Sequence, residues 1–342
     1  MNAIDFFCGG GGMTCGLLDA QINVLFGIDS NPACQNTYEH NNEIPYLNMN
    51  IQDVTVNILR EQSPLVDDID ELLLVGCAPC QPFSILNPRN PNEHISVNLL
   101  NEFGRFVREI HPAHILIENV ASIGRRGQEV LDLFRNMLIA EGYLFDDGVI
   151  NAKEYGVPQN RRRYILIGSR RFVPHIPNPT HGEDLLPYRT VYDAIHDYPP
   201  IMAGEENMEI PNHRAAGISA RNLERMEHTP HDGGSRMDWP RELWLECHQD
   251  FSGHSDVYGR MSWNQVSPTL TSKCFSLSNG RFGHPEQNRA ISLREAAALQ
   301  TFNDDYIFEG SLMEIGKQIG NAVPVRLAEV LGGYILHEHE NI

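Results

Sequence analysis

Short apolar runs alternate with amphipathic segments over the first half of the chain, a pattern typical of an α/β protein. The amphipathic segments predict helices at 13–20, 32–41, 96–110 and 127–140. The apolar runs predict strands at 3–7, 23–28, 72–75, 114–117, 143–151 and 163–168, and a further strand that ends near 50–53. Because strands and helices alternate, we expect a largely parallel sheet with helices on both faces.

The pattern changes after Pro174, where Pro, His, Gly and Asn become frequent and few segments are periodic. One short helix is predicted at 190–196, and regular helices return at 292–301 and 324–337. Composition of this kind is typical of loops and turns. The sequence therefore predicts a second, loop-rich domain after the α/β region.

Length, charge and cysteine content limit the class of protein. A chain of 342 residues can hold a large and a small domain, each with its own core. The formal net charge of −19 argues against a protein that coats polyanions indiscriminately, although a local basic surface can still bind nucleic acid. The seven cysteines are an odd number, and neither a secretory signal nor an apolar run of about 20 residues is present. We therefore expect a cytoplasmic protein with reduced thiols and no membrane contact.

A glycine-rich loop follows the first predicted strand. Residues Cys8–Gly12 separate that strand from a helix, a geometry that brings backbone N–H groups against a ligand. The glycines do not fit the G-x-G-x-x-G register of dinucleotide-binding proteins. Asp29 ends the next strand about twenty residues later, where such folds bind ribose hydroxyls. The pair favours an adenosine-containing cofactor over a tight turn with an incidental surface Asp.

A cysteine-containing turn follows the apolar run at 72–75. Gly and two Pro residues stop the strand there and place Cys80 on a stiff turn at its carboxyl end, the edge where α/β sheets bind ligands. Cys80 is a candidate nucleophile, but the Cys77-x-x-Cys80 spacing also fits a redox pair, and an inert turn is equally compatible. No second close cysteine pair exists to complete a zinc site, so we predict no metal.

Charged residues mark two further strand ends. Glu118 ends the strand at 114–117, where it is either a cap for the next segment or a member of the site. Arg161, Arg162 and Arg163 form the densest basic run of the chain with the arginines at 170 and 171. Such a run fits either a solvated strand edge or a guanidinium fork for a carbonyl oxygen or a phosphate.

Taken in order, these motifs resemble those of the DNA (cytosine-5)-methyltransferases. The resemblance runs from Ile4 to the C-terminal helix and is weakest between about 200 and 258. Its most specific elements are Pro-Cys-Gln, Glu-Asn-Val and Gln-x-Arg-x-Arg, which occur in that order at 79–81, 118–120 and 159–163. The glycine-rich loop, Asp29 and the C-terminal segment 316–324 complete the set.

The resemblance implies a mechanism in which cytosine becomes nucleophilic only after covalent attack. The Cys80 thiolate would add to carbon 6 of a cytosine flipped out of the duplex, while Glu118 protonates ring nitrogen 3 and Arg163 binds the O2 atom. Gln81 and a lid at 85–93 would fill the gap left in the duplex. Arg161 would support the site, and Asn119 would order it.

The resemblance also implies the ligands. The cofactor is S-adenosyl-L-methionine, with predicted binding residues Phe7, Cys8, Gly9, Gly10, Gly11, Gly12, Asp29, Ser30, Asn50, Ile51, Pro79, Leu99, Asn321 and Val323. The partner is duplex DNA, with predicted contacts at Ser84, Arg89, Arg260, Lys273 and Arg281. We expect a monomer that modifies one specific sequence, with a cognate restriction endonuclease as a candidate partner.

The implied fold is a Rossmann-like S-adenosylmethionine-dependent methyltransferase sheet with helices on both faces, plus a smaller loop-rich target-recognition domain. Because the C-terminal motif must return beside the first strand, the catalytic domain is predicted at 1–185 and 290–342, and the recognition domain at 186–289. Three features depart from the family pattern. Asn50 replaces an Asp, Ala78 replaces a proline, and the lid has only Arg89 and His94 as basic residues.

Three other functions remain open at this stage. One is the same chemistry on transfer RNA, as in one branch of the family, although Ser84 stands where that branch has Thr. Another is a non-catalytic DNA-binding regulator that keeps the fold. The last is a nicotinamide oxidoreductase, which the missing glycine register disfavours.

Overall fold

The computed structural model describes residues 1–78, 97–246 and 256–342. Within these ranges no helix has the length and apolar character needed to span a membrane. The chain divides into two compact units, the first made of 1–151, 162–179 and 323–342, and the second of 152–161 and 180–322.

The first unit contains a seven-stranded sheet in the order β3-β2-β1-β4-β5-β7-β6. Strands β1 to β5 are parallel, and β7 is antiparallel to both β5 and β6. The six strands predicted from apolar runs all form, whereas β3 ends at Asn48, before the predicted position. The strands are β1 Asn2–Phe6, β2 Asn23–Asp29, β3 Tyr46–Asn48, β4 Leu72–Gly76, β5 His114–Val120, β6 Leu144–Asn151 and β7 Arg162–Ser169.

Helices lie in both units, and the predicted ones form within a few residues of their expected bounds. Those of the first unit are α1 Gly12–Asp19, α2 Gln35–Asn42, α3 Val56–Gln62, α4 Val97–Ile110, α5 Ile123–Arg126, α6 Gln128–Ala140 and α11 Val325–Glu340. Those of the second unit are α7 Val191–Ile195, α8 Ala220–Glu227, α9 Leu293–Leu299 and α10 Leu312–Asn321. The pattern of apolar residues did not predict α3, α5, α8 or α10.

One face of the sheet packs against an aromatic core. Ile4 and Phe6 alternate with polar or small residues along β1, so both side chains point to the same face. The Phe6 ring lies 5.4 Å from Phe103 and 4.9 Å from Phe106, both on α4. Phe134 of α6 extends this cluster, with its ring 6.3 Å from Phe103. Burial of these large rings against β1 fixes α4 and α6 on this face.

Helices α1 and α11 approach each other closely because glycine stands at their contact. A Cβ atom added to Gly16 would lie 2.3 Å from the carbonyl oxygen of Val325 and 2.5 Å from the Cβ of Ala328. These distances are well inside van der Waals contact. The N-terminal helix and the C-terminal helix are thereby packed together within the first unit.

The second unit has few regular elements, and buried arginines stabilise its loops. The Arg260 guanidinium donates to the carbonyl oxygens of Met226 at 2.8 Å, His284 at 2.9 Å and Thr229 at 3.0 Å. Arg294 likewise donates to the carbonyl of Tyr306 at 2.6 Å. A fixed fork of N–H donors satisfies several carbonyls that loops leave unpaired. Contacts of this kind place 290–322 in the second unit, whereas the predicted boundaries place them in the catalytic domain.

We expect Gly16→Ala to lower the free energy of unfolding by about 2 kcal/mol or more, because the methyl group overpacks the contact between α1 and α11. Gly333→Ala is the matched control in α11, since a Cβ atom there meets nothing within 4 Å. That change should stabilise the helix by about 0.5 to 1 kcal/mol. Urea unfolding of both variants measures the difference, and equal stability of the two would contradict the packing described.

Candidate active site

The carboxyl ends of β1, β4 and β5 bring several predicted site residues to one edge of the sheet. Phe6 pairs with Gly76, and Gly76 pairs with Ile117, so the residues that follow these positions lie side by side. The Cys77 N–H donates to the Phe6 carbonyl oxygen at 3.2 Å and continues this alignment. Glu118 follows Ile117 directly and is buried, with 8% of its surface exposed.

The glycine-rich loop is tied to the end of β2. The N–H groups of Phe7 and Cys8 both donate to the Ile28 carbonyl oxygen, at 2.7 and 3.2 Å. Gly9 has a φ of 52° and donates its N–H to Asp29 Oδ2 at 3.1 Å. A Cβ atom at Gly9 would meet nothing within 4 Å, so the space above this backbone is open. The loop and Asp29, predicted to share a ligand, are therefore in direct contact.

The Asp29 carboxylate is held from both sides. Its Oδ1 atom accepts the Asn31 N–H at 2.9 Å, while Oδ2 accepts the loop N–H already described. Burial raises the pKa of Asp29 above its ordinary value, and the N–H groups of Asn31 and Gly9 oppose that shift. A carboxylate with two backbone donors has a fixed orientation and keeps lone pairs for a ligand.

The remaining predicted cofactor residues are spread over both units. Asn50 and Ile51 follow β3, whose Asn48 pairs with Asp29, so they lie at the same sheet edge. The Asn50 Oδ1 atom accepts the N–H of Gln52 at 3.1 Å. In the first unit, Ser30 is exposed, Leu99 is half-buried in α4 and Val323 is buried, whereas Asn321 is exposed at the end of α10 in the second unit.

Asp5 is a buried acid that the sequence analysis missed. It is fully buried on β1, and its Oδ2 atom accepts the Thr14 hydroxyl at 2.8 Å. Because that hydroxyl has one proton, the Tyr38 hydroxyl 2.9 Å away is the donor to Thr14. The other oxygen, Oδ1, is buried and has no hydrogen-bond partner among the described residues. Burial raises the pKa of Asp5 to about 7. The sequence feature that indicates this buried acid is a charged residue inside the apolar run at 3–7.

Cys77 lies between two carboxyl groups. Burial, with smaller contributions from the nearby carboxylates of Glu118 and Asp5, raises the pKa of the Cys77 thiol well above its ordinary value. Since the thiolate is the reactive form of cysteine, Cys77 is poorly suited to act as a nucleophile. Among the described residues no group of three His, Cys, Asp or Glu side chains is arranged to hold a metal ion.

Glu118 and Arg163 form a largely buried ion pair. Strand β7 runs antiparallel to β5, with Arg163 opposite Val120, so the two side chains share a face of the sheet. The Arg163 Nε atom lies 2.7 Å from Glu118 Oε1, and the side chains are 13% and 10% exposed. Hydrogen-bonded pairs of this kind hold both groups in a fixed orientation. The structure thus brings together the predicted acid and the predicted carbonyl-binding arginine.

Asn119 points to the opposite face from Glu118 and fixes the start of the cysteine turn. Its Nδ2 atom donates to the Ala78 carbonyl oxygen at 3.2 Å, and its Oδ1 atom accepts the Val120 N–H at 2.7 Å. Ala78 is the last described residue before Pro79 and Cys80. This contact orders the residue before Pro79, and the role of Asn119 in the site stays a prediction.

Arg161 belongs to the second unit and binds its loops. Its guanidinium donates to the carbonyl oxygens of Ala322 at 2.8 Å, Leu270 at 3.1 Å and Gly320 at 3.2 Å. Arg161 is 2% exposed. Within this unit, Arg161 of the predicted Gln-x-Arg-x-Arg motif is thereby bound to the C-terminal motif.

The residues predicted to contact DNA differ in their exposure and in their partners. Lys273 is exposed. The Arg281 guanidinium is partly occupied, since it donates to the Gly233 carbonyl oxygen at 2.9 Å. The prediction that Arg260 contacts DNA is wrong, because its side chain is fully buried and bound to loop carbonyls. The predicted positions Pro79, Cys80, Gln81, Ser84 and Arg89 lie outside the described residues.

Solved structures with a similar sheet show the fold. A DNA modification methyltransferase candidate encoded within an Escherichia coli prophage has a similar structure, with a TM-score of 0.74, 22% identity and coverage of 100% of both chains. Spodoptera frugiperda DNMT2 gives a TM-score of 0.66 at 16% identity, over 98% of this chain and 99% of that one. The fold is the Rossmann-like methyltransferase fold.

Sequence comparison then gives the family. The model for "C-5 cytosine-specific DNA methylase" matches residues 1–337. The Type II methylase M.HgiDII of Herpetosiphon aurantiacus is 42% identical over 99% of this chain and 98% of its own. The Type II methyltransferase M1.HphI of Haemophilus parahaemolyticus is 33% identical over 100% and 88%. The chain belongs to the C-5 cytosine-specific DNA methylases, as its motifs predicted.

We expect the stability of the Asp5→Asn variant, relative to that of wild type, to increase as pH rises. The folded protein binds the Asp5 proton more tightly than the unfolded chain, because burial raises its pKa from 3.8 to about 7. That contribution to stability is complete below the unfolded pKa and is lost as pH rises toward the folded pKa. Asn can still accept the Thr14 hydroxyl and has no charge to bury.

The measurement is the difference in Tm between variant and wild type at about pH 5 and about pH 8. We expect this difference to grow by the equivalent of about 2 to 4 kcal/mol. Subtraction removes most of the pH dependence that the other acidic residues contribute. A difference that stays constant with pH would mean that Asp5 does not titrate in this range.

Proposed function

We propose that this protein transfers a methyl group from S-adenosyl-L-methionine to carbon 5 of cytosine within a specific duplex DNA sequence. The observation that carries the proposal is the ion pair between Glu118 and Arg163 at the carboxyl edge of the sheet. The same edge holds Asn119, whose amide binds the residue before Pro79 and Cys80. Adjacent strands of the first unit thus supply the acid, the guanidinium and the contact to the residue before Pro79.

The chemistry explains why these groups are needed together. Carbon 5 of cytosine is a weak nucleophile until the Cys80 sulfur bonds to carbon 6 and breaks the ring's double bond. The electron pair displaced by that attack moves toward ring nitrogen 3 and the O2 atom. A proton held by Glu118 at nitrogen 3 and the positive charge of Arg163 at O2 would stabilise this transition state. The target base must first leave the duplex, at a cost of a few kcal/mol.

Residues of the first unit fit the cofactor. The Asp29 carboxylate would bind the ribose hydroxyls, and the open backbone at Gly9 lets a ligand approach the loop. Phe7 and Ile51 offer apolar surface for the adenine at the same edge. When bound, S-adenosylmethionine supplies the electrophilic methyl group.

We extend the biological setting from the relatives. Both M.HgiDII and M1.HphI are named as Type II enzymes, and they match nearly the full length of this chain. The corresponding role here is the modification enzyme of a restriction-modification system, with a cognate endonuclease as partner. The second unit, with its buried arginines under loop carbonyls, would then present the loops that read the DNA sequence.

Labelling tests this proposal directly. Purified protein is incubated with S-adenosylmethionine labelled in the methyl group and with duplex DNA. We expect Cys80→Ala to lower labelling by about 1,000-fold or more, because no other group replaces the bond to carbon 6. Cys247→Ala removes a thiol elsewhere in the chain and should label DNA like wild type. Bisulfite sequencing of the product gives the methylated sequence.

Two outcomes would contradict the proposal. Equal labelling of DNA by wild type and by Cys80→Ala would exclude the covalent mechanism. Labelling of transfer RNA but not of duplex DNA, in reactions run side by side, would keep the chemistry and change the substrate. Binding of S-adenosylhomocysteine, measured on each variant, shows whether the cofactor site is intact in every case.

A further inference from the structure

Most arginines of the first unit are neutralised, as the acidic composition favours. The chain has 26 basic and 45 acidic residues, so a carboxylate is usually within reach. Arg60 pairs with Asp67 at 2.7 Å, and Arg171 pairs with Asp70 at 2.9 Å. Similar pairs involve Arg105, Arg135, Arg163 and Arg326.

Three exposed arginines of this unit have no such partner among the described residues. Among the residues whose side chains the structure describes in the first unit, Arg108, Arg125 and Arg162 are exposed and have neither a carboxylate nor a carbonyl partner for their guanidinium groups. An exposed arginine left unpaired in so acidic a protein keeps its full positive charge for an external anion. The position of each in the fold decides what that anion can be.

Arg162 lies at the carboxyl edge of the sheet. It is the first residue of β7 and pairs with Asn151, the last residue of β6. Because β7 runs antiparallel to β5, its first residues lie beside the end of β5, where Glu118 is located. Successive residues of a strand point to opposite faces, so Arg162 lies on the face opposite Arg163. That is the face of Tyr164, which belongs to the aromatic core.

Arg125 reaches the same edge from the neighbouring segment. It lies in the short helix α5, which follows the carboxyl end of β5 and precedes α6. Ile123 of α5 is 1% exposed and packs in the same aromatic core as Tyr164. Arg125 and Arg162 therefore occur at one edge and toward one face of the sheet. Arg108 lies in the last turn of α4, just before β5 begins, and thus at the opposite edge.

We propose that Arg125 and Arg162 bind backbone phosphates of duplex DNA beside the base-binding site. The inference rests on the proposed function and adds two arginines to the predicted DNA contacts. Two of the predicted DNA contacts are already engaged, since Arg260 is buried and Arg281 is partly bound to loop carbonyls. Phosphates flank the target nucleotide on both sides, and a guanidinium fork binds them well.

The test is the salt dependence of DNA binding. Each phosphate neutralised by the protein contributes about 0.9 to the slope of log Kd against log salt concentration. The Kd of wild-type protein for a fluorescent duplex is measured between about 50 and about 200 mM NaCl. We expect Arg125→Gln and Arg162→Gln each to reduce the slope by about 0.9 and to weaken binding by about 3- to 30-fold.

Matched variants separate this role from a general charge effect. Arg108→Gln removes the same charge from an equally unpaired arginine at the opposite edge, and it should leave the slope unchanged. Arg162→Lys keeps the charge and should keep most of the slope. The variant with both Arg125→Gln and Arg162→Gln should lose about 1.8 from the slope.

Several outcomes overturn the inference. A wild-type slope in the double variant, or an equal loss in Arg108→Gln, would show that these two arginines do not contact phosphate specifically. Loss of slope on transfer RNA but not on duplex DNA would also refute it. If wild-type protein fails to methylate DNA, the proposed function has failed; if it methylates DNA and the double variant binds like wild type, only this inference has failed. Unchanged binding of S-adenosylhomocysteine confirms that each variant is folded.

Discussion

The antiparallel pairing of β7 with β5 is the constraint on which the site depends. It places Arg163 opposite Val120 and brings its guanidinium within 2.7 Å of Glu118. In an all-parallel sheet the same arginine, at the start of its strand, would lie at the opposite edge from the acid. One reversal of chain direction therefore converts two distant sequence motifs into a single buried pair.

The same edge concentrates polar groups that a sheet interior normally excludes. Asp5 is held by Thr14 and Tyr38, Asn119 holds Ala78, and Glu118 is neutralised by Arg163. Each group has a partner that limits the cost of burial, except for one oxygen of Asp5. Buried polar atoms without a partner are uncommon in folded proteins. The physical chemistry of the edge thus agrees with the family of the chain.

Much of the fold and of the candidate site could be predicted because the sequence features involved are local. Apolar runs predicted the strands, and their carboxyl ends indicated Asp29 and Glu118 as site residues. The pattern of apolar residues missed α3 and α8, each of which buries only two residues. It also missed α10, whose start depends on the Ser311 to Glu314 capping box. The burial of Arg260 could not be predicted either. The sequence around a basic loop residue does not show whether its side chain binds phosphate or carbonyl oxygens.

A double-mutant cycle on Glu118 and Arg163 tests the central claim most directly. The rate of covalent adduct formation with duplex DNA containing 5-fluorocytosine is measured for wild type, Glu118→Gln, Arg163→Ala and the double variant. If the two side chains act on one base as a unit, each single change slows the reaction by about 100-fold or more. The double change then adds little, with a coupling of about 1.5 kcal/mol or more. Effects that simply multiply would contradict the account.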